Sequence, residues 1–130
     1  MVEKIGNIKR SCCLNIQATR TTVAEYKARR LRSVIGEETV IDLCCGIGSD
    51  TAALAQYGPV IYVDHDPVRV ELTRFNLGQS SKKPSNSHPL VADAKCLPLP
   101  PLPLHVDPAR RVDGRRVHDF EGMVPGPEVL

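Results

Sequence analysis

Four aspartates close four apolar runs in this chain: Asp42 in TVIDLC, Asp64 in VIYVD, Asp93 in LVAD and Asp107 in LHVD. The first run leads into CCGIGSD, which holds Gly46 and Gly48. A carboxylate accepts two hydroxyl hydrogen bonds at once, which suits a vicinal diol, and it attracts an ammonium group. Glycine permits positive φ and lets a ligand approach the backbone closely. Free N–H groups where a helix then begins favour an anionic group. Asp64 lies 22 positions after Asp42, at the end of the next apolar run. Together these residues ask for a small molecule with a diol and a charged end, which describes a nucleoside ligand. A metal is a poorer reading of the same stretch. The five cysteines include the adjacent pairs Cys12–Cys13 and Cys44–Cys45 and no C-x-x-C spacing. Sequence neighbours make poor joint ligands for one zinc and strained disulfides, so reduced thiols, a cytoplasmic setting and no metal are expected.

The elements that must hold these residues follow from periodicity and punctuation. Residues 1–16 read as irregular. TTVAEYKARRLRSV reads as a helix, with Thr22 and Glu25 as a capping box and Val23, Tyr26 or Lys27, and Leu31 on one face. GEE ends it. TVIDLC is apolar and β-branched, a buried strand. GSDTAALAQY reads as a helix closed by Gly58. VIYVD is a second strand. DPVRVELTRFNLG carries Asp66 as N-cap, Pro67 at the first helical position, Val68, Leu72 and Phe75 on one side, and Gly78 beyond its end. QSSKKPSNSHP is a polar loop, LVAD a third strand, and LHVD a fourth. The proline-rich AKCLPLPPLP before it can be neither helix nor central strand. An Asp113–Gly114 turn follows. Strands alternating with helices predict an α/β fold, a Rossmann-like parallel sheet with flanking helices. Such sheets bind ligands beyond the carboxyl ends of their strands, so all four aspartates would line one edge.

The loop also narrows the nucleoside. A dinucleotide fingerprint needs a third glycine, and Thr51 stands in its place. Asp42, ahead of the glycines, is badly placed for a pyrophosphate and well placed for an ammonium. An amino acid joined to adenosine describes S-adenosylmethionine. A nucleotide-binding module without catalysis and a nicotinamide-dependent oxidoreductase fragment are the competing readings.

At this point the chain resembles class I S-adenosylmethionine-dependent methyltransferases. VIDLCCGIG is similar to their first motif, YVDHDP to the second, VADA to the third and HVDPARR to the fourth. QATRTTVAEYKARR, DLCCGIGSD and HVDPARRVDGRR resemble more closely the bacterial group whose C-terminal half carries a THUMP-like domain. The resemblance runs from about Gln17 to the chain end and implies one cofactor-binding domain over 17–130. It implies that Asp42 meets the methionine amino group and that Gly46 and Gly48 approach the methionine and ribose. Asp64 would bind the ribose hydroxyls, His65 would lie beside the adenine, and Asp93 with Ala94 would bound it. Asp107, Pro108, Ala109 and Arg110 would form the floor where acceptor meets methyl, with Asp107, Pro108 and Arg110 as the catalytic set. Cys44 departs from the pattern by replacing the first glycine while still lining the cofactor loop. DPAR is not the NPPY of amino-methylating nucleic-acid enzymes. Gln17 and Thr19 read as the approach to the first helix, Cys44 and Cys45 as packing residues rather than nucleophiles, and His105 as a packed residue.

Composition sets outer bounds. The 130 residues make one domain, and 42% apolar content is enough for a core, which 4% aromatic content makes an aliphatic one. A net charge of +2 does not by itself argue for nucleic acid, although basic residues cluster at 27–32 and at Arg110, Arg111, Arg115 and Arg116. No apolar run reaches membrane length. RNA enters as a possible acceptor only through the THUMP-like resemblance. The implied fold has seven strands and the sequence supplies four, so a chain truncated after the fourth strand, with that strand at an open edge, is expected.

Overall fold

The computed structural model describes residues 2–5, 8–11, 19–79, 86–108, 111–112 and 115–116. Two strands, β1 (Val2–Ile5) and β2 (Ile8–Ser11), pair antiparallel with Ile5 opposite Ile8. They stand where an irregular segment is expected. The overlooked signal is Gly6–Asn7 between two short runs containing β-branched residues, a dipeptide suited to a two-residue hairpin loop.

Helix α1 (Thr21–Ile35) follows, with Arg20 at its N-cap and no side-chain cap bond. The Thr22–Glu25 capping box does not form. Thr22 lies inside the helix, and Glu25 instead accepts from Tyr57 Oη and from Arg29 Nε at 3.1 Å. The buried face is also not the expected one. Ala24, Ala28 and Arg32 are buried, with Leu31 and Ile35 packed beside them, whereas Val23 and Tyr26 are exposed. Small alanines let α1 lie close against the neighbouring elements, and larger apolar residues one position away are left outside. Gly36 ends the helix at φ +63°, where its N–H bonds Arg32 O at 2.8 Å.

Strand β3 (Val40–Leu43) is buried at every residue, as its continuous apolar run requires. Helix α2 (Ser49–Leu54) is shorter than expected and caps at Ala55. Gly58 is therefore no helix cap. It makes room for the guanidinium of Arg32, whose Nη1 would lie 2.8 Å from a Cβ placed there. Strand β4 (Val60–Asp64) and helix α3 (Pro67–Gly78) match their sequence signals. Asp66 accepts from the Val68 N–H at 2.9 Å and Pro67 opens the helix. Gly78 is the last helical residue rather than the one beyond it. The buried residues of α3 are Val70, Thr73, Asn76 and Leu77, while Val68 and Phe75 are exposed. Strand β5 (Ser87–Val91) begins earlier than LVAD and includes Pro89, and it ends two residues before Asp93. A proline is admissible there because β5 is an edge strand. Strand β6 (Leu104–Val106) completes the sheet. Strands β7 (Arg111–Val112) and β8 (Arg115–Arg116) pair antiparallel, and the Asp113–Gly114 turn expected between them lies outside the described residues.

The four sheet strands are parallel in the order β5-β4-β3-β6. Succession runs outward from β3 through β4 to β5, and β6 then pairs on the opposite side of β3. The strand order reverses between β3 and β6, which opens a crevice at their carboxyl ends. Val40, Val60, Leu54 and Ala28 pack on one side of the sheet, and Leu43, Ile41 and Val63 sit at the centre of a cluster that the proline-rich segment covers with Leu97, Leu99 and Leu102. Each fully buried aliphatic side chain contributes about 1.5–3 kcal/mol.

Candidate functional site

The loop after β3 is held in three left-handed turns of the backbone, Cys44 at φ +63°, Gly46 at +59° and Gly48 at +85°. Cys44 is the one non-glycine among the described residues at positive φ, at a cost of about 1–2 kcal/mol. The loop therefore keeps the backbone path that glycine would give and carries a thiol on it. Gly48 is required for a second reason: a Cβ would stand 2.7 Å from Thr73 Cγ2. Helix α3 clamps the loop from that side, with Thr73 Oγ1 donating to Gly46 O at 3.2 Å and Asn76 Nδ2 to Ile47 O at 2.8 Å. Burial pushes the Cys44 thiol up to about 12 and raises Cys45 further, so both are protonated packing groups, as the sequence suggested.

Asp64 ties β4 to this loop. Its Oδ2 accepts from the Gly46 N–H at 3.1 Å, its Oδ1 accepts from the Asp66 N–H at 3.1 Å, and His65 Nδ1 lies 3.2 Å from Oδ1. Its side chain is only 1% exposed, whereas that of His65 is 72% exposed. Asp42 is more enclosed than its expected role suggests. It is 2% exposed and accepts from Thr51 Oγ1. Burial pushes its carboxyl up to about 6, against the pull of His105 and Thr51. In its enclosure it resembles Asp64, which is 3% exposed. Asp93 is exposed and turned onto its own backbone, accepting from the Lys95 N–H at 2.9 Å, while Ala94 packs on the central cluster. The four acids thus share the carboxyl edge of one sheet, but only Asp64 is bonded into the loop. Pro108 is half-buried beside Asp107, and Arg110 and Gln17 lie outside the described residues.

The structure joins Lys27, Thr19, His105 and Asp107, which the sequence named separately, with Asp50, which it did not, into one charged cluster beside β6. Lys27 Nζ lies 3.1 Å from Asp50 Oδ2 and 3.2 Å from Asp107 Oδ2. Thr19 Oγ1 lies 3.1 and 3.3 Å from the same two oxygens and donates its one proton to either of them. His105 Nε2 stands 3.4 Å from Asp50 Oδ2. Burial works against the charge of Asp50, but the His105 hydrogen bond and the Lys27 ammonium outweigh it and hold its carboxyl below the usual range. Burial likewise opposes the Lys27 charge, and Asp50 and Asp107 raise it above the ordinary lysine value. His105 is raised by Asp50 and Asp42 despite its own burial. His105 is therefore more than a packed residue. Lys27, Asp50 and His105 had one available signal, a charged residue falling on or beside an otherwise core-facing stripe.

Solved structures share this architecture. A Pyrococcus horikoshii protein described as a candidate RNA methyltransferase superposes with a TM-score of 0.64 at 20% identity, over 82% of this chain and 56% of its own. The magnesium protoporphyrin IX methyltransferase of Synechocystis PCC 6803, solved with S-adenosylmethionine, superposes with a TM-score of 0.51 at 19% identity, over 59% and 38%. The chain has the class I methyltransferase fold. Two curated Mycobacterium tuberculosis proteins, from strains CDC 1551 and H37Rv, are each named an uncharacterized S-adenosylmethionine-dependent methyltransferase. Each is 34% identical to this chain over 116 residues, 85% of the chain and 29% of the relative. The chain thus spans less than a third of the length of these relatives. No family model matches it. Among the described residues no helix is long and apolar enough to cross a membrane, and no group of side chains is arranged to hold a metal ion.

Proposed function

We propose that this chain is the cofactor-binding part of an S-adenosylmethionine-dependent methyltransferase. The observation that carries the reading is the junction of Asp64 with the Gly46–Gly48 loop, at the carboxyl edge of a parallel sheet and beside its switch point. The residues fit the cofactor. A carboxylate offers about four lone-pair positions. Two backbone N–H groups hold the Asp64 carboxylate, with the exposed His65 imidazole at 3.2 Å and the Arg69 guanidinium at 4.0 Å, so the ribose diol would bind where these two side chains turn aside. The left-handed loop brings backbone rather than side chain to the ligand at Gly46, and exposed His65 would border the adenine. The match to the curated relatives spans 85% of this chain, and their names carry S-adenosylmethionine-dependent methyltransferase activity.

When bound, the cofactor supplies a methyl carbon on a sulfonium, activated for in-line displacement. The protein orients the partners, and positioning alone removes several kcal/mol of barrier, about 7–11 at its upper range. Asp107 faces the acceptor, holding its N–H or O–H, with Pro108 beside it, and the family resemblance assigns Arg110 to the same floor. RNA is the acceptor we favour, and the bacterial group with a THUMP-like C-terminal domain is the subfamily. The candidate RNA methyltransferase of P. horikoshii supports that choice at the level of fold. The free thiols of Cys44, Cys45 and Cys96 suit a reducing cytoplasm.

Calorimetric titration with S-adenosylmethionine, S-adenosylhomocysteine and NAD tests the reading. The first two should bind and NAD should not; binding of NAD alone would overturn it. Asp64→Ala should abolish binding, and unchanged affinity would remove the ribose assignment. Transfer of a radiolabelled methyl group to total RNA by the full-length gene product tests the acceptor.

A further inference from the structure

We propose that Lys27 is a positioning residue for Asp107. The inference rests on the reading above, in which Asp107 faces the methyl acceptor. Asp107 follows β6 and its side chain is 39% exposed. Both of its contacts with described residues, Lys27 Nζ at 3.2 Å and the Thr19 hydroxyl at 3.3 Å, which it shares with Asp50, are to Oδ2. Among the described residues Oδ1 has no hydrogen-bond donor, and it is the oxygen we assign to the acceptor.

An exposed ion pair alone would hold Asp107 weakly. Lys27 is not anchored by Asp107 alone, however. Its ammonium is fixed on the other side by Asp50, whose side chain is 9% exposed and is bonded in turn to Thr19 and to His105 of β6. The bridge runs from α1 through the first turn of α2 to both sides of the switch point. Asp50 Oδ1 is buried with no partner among the described residues, so the anchoring carboxylate spends all its bonding on the oxygen that faces Lys27. Asp42 adds negative field from below, as the raised His105 records. A lysine serving only to join α1 and α2 needs Asp50 alone; the second contact, to Asp107, is the one that reaches the acceptor side.

The test uses the ligand-free chain, so it does not depend on any activity. Three-bond couplings to the Asp107 carboxyl carbon report its rotamer. In the wild type they should show one dominant χ1 rotamer. In Lys27→Met, which keeps the stem and removes the charge, they should collapse to averaged values, and the midpoint of Asp50 should rise. In Lys27→Arg the single rotamer should return. Unchanged amide shifts in β3 and β4 would show that the fold survives. Asp107 couplings indifferent to Lys27→Met would overturn the inference. S-adenosylhomocysteine binding to the wild type is measured alongside. Binding with an indifferent Asp107 sinks the positioning role alone, and a fixed Asp107 without binding sinks the cofactor reading alone.

Discussion

Asp42→Asn should stabilise this protein at alkaline pH while weakening its hold on the cofactor. Asp42 is a carboxylate at the centre of the sheet, 2% exposed, with Thr51 as its hydrogen-bond donor. Burial raises it from 3.8 to about 6. A shift of about 2 units corresponds to roughly 3 kcal/mol of unfavourable charge at pH values above the folded midpoint. The direction follows from proton binding. Between about pH 4 and 6 the folded chain holds a proton that the unfolded chain has released, so this group's contribution falls as pH rises through that window. Asparagine carries no charge to desolvate and still accepts from Thr51. The variant should therefore gain roughly 2–3 kcal/mol over the wild type at pH 8 and little or nothing at pH 4. One opposing effect is calculable in sign: Asp42 supports the His105 imidazolium, whose raised midpoint gives stability that is present at low pH and lost as pH rises through it. At pH 4 Asp42 is itself protonated and gives no such support, so this loss acts only above about pH 6 and below the His105 midpoint, where it trims the gain. Urea denaturation followed by circular dichroism at pH 4 and pH 8 measures both differences. Equal differences at the two pH values would refute the reasoning, since only an uncharged effect of the substitution behaves so. Affinity for S-adenosylhomocysteine should fall in the same variant, because the enclosed charge that costs stability is the one whose field favours a ligand ammonium.

Other perturbations reach different parts of the argument. Gly48→Ala places a Cβ 2.7 Å from Thr73 at a φ of +85°, so a loss of about 2 kcal/mol or more in thermal or urea unfolding is expected. Arg32→Met removes a buried guanidinium that donates to Gly36, Glu38, Leu54 and Pro59 carbonyls; leaving these unpaired should cost about 3 kcal/mol, read by the same unfolding curves. Iodoacetamide at pH 7.5 should label exposed Cys96 long before Cys44 and Cys45, whose thiols burial raises, and peptide mass spectrometry would show the order.

The central strands β3 and β4 were legible because β-branched runs such as VIDL and VIYVD have few other ways to bury themselves, and the glycine loop because only a few residue types tolerate its backbone, whereas β1, β2, β7 and β8 were not. Cap and first-turn chemistry at Asp66–Pro67 was legible for the same local reason. The helix faces were not. Ala24 and Ala28 carry the contacts of α1, and polar Thr73 and Asn76 carry those of α3, so a search for large apolar residues selects the wrong stripe. How each aspartate is bonded was equally hidden. Asp42 and Asp64 look alike in sequence, yet one is bonded to Thr51 and the other to Gly46.

The sequence by itself determined that an α/β sheet would present acids and a glycine turn along one edge, since strand propensity and backbone tolerance act over a few residues. Tertiary structure alone decided the charged bridge at the switch point. Lys27 meets partners 23 and 80 positions away, and such contacts exist only once packing has brought β6 beside β3 and laid α1 across α2. The energies involved depend on burial, which no local pattern records.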